Sequence, residues 1–101
     1  MPTSTPWGKA DHSEKIARGI MWYNTPGHGG VHITDKRRAE MPEKFRNEQT
    51  FAGGNWYEED CDWALVAYCF PQFFPERKET AEQCLRQYRP HLFEGNDEVQ
   101  T

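Results

Sequence analysis

The chain has 101 residues, of which 36% are hydrophobic and 14% aromatic, with 12 basic and 16 acidic side chains and a formal net charge of −4. That length holds one domain around one modest core, built here from few, large side chains. Setting aside Glu94, Asp97 and Glu98 near the C-terminus leaves 12 basic against 13 acidic residues, which argues against a phosphate-tracking nucleic-acid binder and against a heavily acidic nucleic-acid mimic.

Met1 to Pro6 is rich in Pro, Thr and Ser, and Trp7 reads as the first anchor, followed by a bend at Gly8. Lys9 to Ala17 alternates weakly, with Ala10, His12, Glu14 and Ile16 on one side, and predicts an edge strand. Ile20-Met21-Trp22-Tyr23 and Val31-His32-Ile33 are short runs with good strand propensity. Between them, Thr25-Pro26-Gly27-His28-Gly29-Gly30 combines a Pro-Gly turn signal with three glycines in four positions. Such a loop closes an antiparallel hairpin, and its glycines permit positive φ. Three strands would form a meander that needs a hydrophobic cover.

Thr34 is a fair N-cap for a short helix from Asp35 to Met41, and Pro42 interrupts it before a further turn through Phe45. Lys36, Arg37, Arg38, Lys44 and Arg46 make this the basic part of the chain, which by default is a solvated face. Asn47 to Gly54 reads as a connection. A central helix is then expected from Asn55, whose side chain and Glu58 fit a reciprocal cap. Glu58, Glu59, Asp60 and Asp62 would complement the helix start. Trp63 to Phe70 is apolar nearly all round, so this half should be buried on several sides, and Pro71 stops it. Pro75 suits the first turn of a last helix whose packed face carries Ala81, Cys84, Leu85 and Tyr88. The expected fold is α+β: a small antiparallel β-meander packed on one face by two main helices plus a short helix. It is a single domain over 1–101, with an ordered core of about 6–93 and a flexible tail at 94–101.

His28 is the sharpest candidate for function, because the glycines beside it let a backbone approach a ligand and bare its amides to an anion. The competing reading is a plain hairpin loop. A nucleotide-hydrolase phosphate loop is excluded, since Gly30 is followed by a strand and not by Lys-Ser/Thr and a helix. On the expected helix Glu58 and Asp62 share a face four residues apart. With His28 they would form an acid/base pair or a hard-cation site, set against simple dipole complementation. No second histidine has ligand spacing, so no metal and no cofactor is expected. Cys61 invites a thiol–histidine mechanism, but four nearby carboxylates disfavour a thiolate and its helical phase places it in the core. Three cysteines without a CxxC pair read as reduced thiols. Trp7, Trp22, Tyr23, Trp56 and Tyr57 are candidates for stacking or for filling a partner's pocket, set against aromatic packing in an aliphatic-poor core.

Trp7-Gly8, Ile16-Ala17, Gly19-Ile20, the Thr25–Gly30 loop, Met41-Pro42, Trp56 through Trp63 and Phe70-Pro71 together resemble an uncharacterised domain family of bacteriophages, plasmids and their bacterial hosts. The resemblance covers about Pro6 to Phe93 and rests on the pair of blocks GHGG and WYEEDCDW. It implies a mobile-element origin and a bacterial cytoplasm, and it supplies no catalytic residues. The expected function is therefore a non-enzymatic binding protein that occupies a host protein or a small nucleotide-like ligand, inhibition of a bacterial immune system being one such role. Direct nucleic-acid binding and membrane insertion are not expected, and the sequence leaves the oligomeric state open. The binding surface would join Gly27, His28, Gly29 and Gly30 to Glu58, Glu59 and Asp62, with Trp22, Trp56 and Tyr57 beside them. The rival is a small hydrolase or transferase using His28 with Glu58 or Asp62.

Overall fold

A computed structural model describes residues 4–94; the expected flexible tail, Glu94 apart, lies outside the described residues. A small hairpin of β1 (Ser4–Thr5) and β2 (Gly8–Lys9) precedes an antiparallel sheet of β3 (His12–Ala17), β4 (Ile20–Asn24), β5 (Gly29–Ile33) and β6 (Trp56–Glu58), paired in that order. Helices α1 (Asp35–Glu40) and α2 (Glu43–Arg46) lie between β5 and β6. After β6 come α3 (Trp63–Cys69), a 3-10 turn (Pro71–Phe73) and α4 (Lys78–Tyr88). The class is α+β, and the meander has four strands where three were expected.

The fourth strand comes from the stretch whose local signals predicted the head of a helix. Gly53 and Gly54 both take positive φ, at 82° and 58°, and turn the chain so that Trp56-Tyr57-Glu58 runs against β5. Tyr57 pairs with Val31 and is 2% exposed. Asn55 is not a helix cap; its side-chain amide donates to Asp35 Oδ1 at 2.7 Å. The helix starts eight residues later, at Trp63, with Asp62 at the cap position but no side-chain cap bond. Of the four acids only Asp62 therefore stands at a helix start: Glu58 is in a strand, and Glu59 and Asp60 lie between it and α3. A buried aromatic with a strand partner outweighs a local capping pattern worth about 1 kcal/mol.

Other local readings match. Thr34 Oγ1 accepts from the Arg37 amide at 3.2 Å and caps α1. Much of the basic run is used internally rather than solvated. Arg37 donates to the Arg18 carbonyl at 2.7 Å and lies over Phe73, while Arg38 and Arg46 donate to backbone carbonyls around α2. In α3, Trp63 through Ala67 are all buried, as an all-round apolar helix should be. They pack with Ile20, Val31, Ile33 and Tyr57 from the sheet and Ala81 and Leu85 from α4. Two details of α4 differ from expectation. Pro75 lies before the helix rather than in its first turn, and Tyr88 is 64% exposed. Eleven residues against seven make α4 the longer helix, and beyond its last turn Leu92 and Phe93 fill the core instead.

Candidate functional site

Side chains alternate across a strand, so the register divides the sheet into two faces. Ile20, Trp22, Val31, Ile33 and Tyr57 point toward the helices. Met21, Tyr23, Gly30, His32, Trp56 and Glu58 point away. The helix-facing set, Trp22 apart, is buried in the core, whereas Met21, Tyr23, His32 and Trp56 stay half-buried and outside it. Trp56 is the hub of this second face. Its ring lies 4.5 Å from His32, 5.6 Å from Tyr23 and 5.7 Å from Trp7, the last edge-on at 89°. Such offset and edge geometries are the ones that aromatic quadrupoles favour.

Trp7 reaches this face from the β1–β2 hairpin and settles on Gly30. A Cβ on Gly30 would come within 3.0 Å of both Trp7 Cη2 and the Tyr57 carbonyl oxygen. Glycine is needed here for close approach. It is not needed for positive φ, which none of Gly27, Gly29 and Gly30 adopts. The loop's own turn is held by Thr25. Its amide and hydroxyl both donate to the His28 carbonyl, at 2.7 and 2.8 Å, and its hydroxyl accepts from the His28 amide at 3.1 Å. The His28 imidazole is exposed.

The acidic candidates separate. Glu58 pairs with Gly30 in the strand register, and the Glu59 amide donates to the Gly29 carbonyl at 2.9 Å. Both thus join the glycine loop, through strand pairing and not through a shared helix face. Glu58 is 9% exposed. Burial, followed by the charge of Asp60, pushes its carboxyl above the usual range, while the Asp60 backbone and the nearby His28 oppose the shift. Asp62 is committed elsewhere. One oxygen accepts from the Phe51 amide at 2.7 Å and the other from Arg89 at 2.5 Å. Arg89 also binds Glu48 Oε1 at 2.7 Å, and His91 Nε2 lies 2.8 Å from Glu48 Oε2. Asp62 is thus a structural tie between the 47–55 loop, α3 and the end of α4, and the acid–base reading keeps only His28 and Glu58. Trp22 and Tyr57 also leave the predicted surface. Tyr57 is core, and Trp22 lines an open cleft of about 360 Å³ with Glu14, Trp63, Phe73, Phe74 and Arg77. Among the described residues no cluster of three or more His, Cys, Asp or Glu side chains could hold a metal ion.

The two perturbed glutamates make opposite pH predictions. Burial raises the Glu48 carboxyl, but His91 and Arg89 outweigh it and its pKa is lowered overall from 4.5. A depressed folded pKa contributes stability above the unfolded value, and that stability is lost as pH falls through the folded one. Glu58, raised from 4.5, is unfavourable when charged, and this cost disappears as pH falls through its folded pKa. Glu48→Gln is therefore expected to lower stability at pH 7 and to flatten its decline below the unfolded pKa. Glu58→Gln is expected to raise stability at pH 7, with the gain vanishing in acid. Urea titrations of both variants at several pH values check this, and equal slopes in all three proteins would refute it.

His32 was missed as part of the aromatic face, although its place two residues after Gly30 on an alternating strand was a usable signal. Burial depresses the His32 imidazole below its usual value, against the opposing charge of Asp35. Arg89 and Glu48 gave no local signal, since their bonds span 27 and 41 positions.

Residues 1–100 match the family model DUF7007, a domain of unknown function. The chain belongs to the DUF7007 family. No curated protein and no solved structure matches it. The aromatic face, the cleft and the Asp62–Arg89 tie are therefore features of a DUF7007 domain. No helix among the described residues of this DUF7007 domain is long and apolar enough to cross a membrane.

Proposed function

We propose that this DUF7007 domain is a non-enzymatic binding protein whose contact surface is the aromatic face of the sheet, centred on Trp56 with Tyr23, His32 and Trp7. The observation that carries this reading is the half-buried four-ring cluster on the face whose aromatic side chains stay outside the core. Clustered, rigid aromatic side chains are the residue types that dominate protein interfaces. Glu58 at the end of this face, and a net charge of −4, favour a protein over a nucleic acid, whose phosphates they would repel. The resemblance given above adds a bacterial host component as the partner and a mobile element as the origin, with counter-defence as one such act.

The test is affinity capture from bacterial lysate with the wild-type and substituted 101-residue chain, followed by titration of the captured partner. Tyr23→Ala and Trp56→Ala are expected to weaken binding by about 30-fold or more. Trp22→Ala, on the opposite face, and His28→Ala should bind as wild type. Equal retention by all four variants would refute the aromatic surface. The cleft beside Trp22 favours a second reading, a small-ligand site, since its volume lies within the range of ligand pockets. On that reading Trp22→Ala, and not Trp56→Ala, would abolish a ligand-induced rise in melting temperature.

A further inference from the structure

The three cysteines are free thiols, and two of them meet. Cys84, on the half-buried side of α4, directs its Sγ at Cys61 Sγ across 2.9 Å. Cys61 lies in the segment that precedes α3, beside Asp62. The two sulfurs are 23 positions apart in sequence, so their meeting is a product of the tertiary fold and not of a helical turn. Neither residue is fully buried. We propose that Cys61 and Cys84 form a reversible disulfide that fastens the entrance of α3 to α4.

The reaction is a thiol–disulfide exchange with a low-molecular-weight disulfide, RSSR. One thiolate of the pair attacks a sulfur of RSSR, forming a mixed disulfide and releasing RS⁻. The second cysteine, after losing its proton, attacks the protein sulfur of that mixed disulfide and expels the other RS⁻. Two protein thiols lose two electrons and two protons, and RSSR is reduced to two RSH. Acidity does not select the pair. Burial, reinforced by the Cys84 sulfur, pushes the Cys61 thiol up to about 12, and burial alone pushes Cys69 up to about 12. Cys61 differs from Cys69 in having a second sulfur in contact with it, and contact is what makes the second exchange step intramolecular and fast.

The bond would add a covalent tie where the fold already has an ionic one. Cys61 and Asp62 are consecutive, and both reach α4 and its exit, one through Cys84 and the other through Arg89. Oxidation would stiffen the segment that also holds the Phe51 amide. The inference does not depend on the aromatic binding face.

The test uses the reduced 101-residue chain, incubated with oxidised glutathione at about pH 8.5, the pKa of an unperturbed thiol, and then denatured and alkylated. Intact mass and peptide mapping should show the loss of two hydrogens, a Cys61–Cys84 linked peptide and a single alkylated cysteine, Cys69. The melting temperature should rise on the order of 10 °C and fall back on reduction. Cys61→Ser and Cys84→Ser should each abolish both changes, whereas Cys69→Ser should keep them. Persistent glutathione adducts on Cys61 or Cys84, a linkage involving Cys69, or three fully alkylated cysteines would each overturn the proposal.

Discussion

Asp62→Ala should destabilise the protein by about 3 kcal/mol, within the range for breaking a desolvated ion pair. The Asp62 side chain is only 7% exposed and that of Arg89 18%, so the guanidinium, left with Glu48 as its one carboxylate, cannot simply return to water. Burial works against the Arg89 charge, and Glu48 with Asp62 more than offsets it. The same substitution removes the acceptor of the Phe51 amide and frees the loop that carries this 81% exposed ring. Asp62→Asn retains an oxygen for that amide but not the charge, so it should cost less than alanine. Chemical denaturation with a common slope across the three proteins measures this. A loss below about 1 kcal/mol for Asp62→Ala would place the pair with ordinary surface salt bridges.

Gly30→Ala is expected to cost a comparable amount, about 3 kcal/mol, through overpacking. The added methyl collides with the backbone carbonyl of Tyr57, which cannot rotate away, as well as with Trp7 Cη2. Relief requires β5 and β6 to part, at the pairing that holds Tyr57 in the core. Gly27→Ala is the matched control. Its Cβ meets nothing within 4 Å and its φ is not positive, so its stability should be within about 0.5 kcal/mol of wild type. Melting curves for the two variants check the contrast. Equal melting temperatures would mean that the glycine loop is a free turn and that the packing of Trp7 onto the sheet contributes little.

Much of the fold was legible because its signals were local. Thr34 ahead of Asp35, the alternation around Val31 and the unbroken apolar run from Trp63 each describe a residue's relation to its near neighbours. The stretch Asn55 to Asp62 was misread for the same reason. Its polar spacing satisfies a helix start, while the partner that makes it a strand, Val31, is 26 positions away from Tyr57. The predicted site had a matching fate. His28, Glu58 and Glu59 lie at one end of the sheet because Gly30 pairs with Glu58. Asp62 left the group when the presumed helix face did not exist, and its true partner, Arg89, stands at the C-terminal end of α4, 27 positions away. The sequence reading puts Trp22 and Trp56 together beside the loop, yet strand parity places them on opposite faces.

The two outer borders of the sheet are unlike its middle. On one side β3 is exposed from His12 through Lys15, with Glu14 and Lys15 adjacent; on the other, β6 is three residues long. A second copy laid alongside β3 would have to strip water from charged side chains, and one laid beside β6 would find few amides to bond. Growth of the sheet into a polymer is thus discouraged at both ends, which leaves the broad surface that Trp56 occupies as the proposed place of contact.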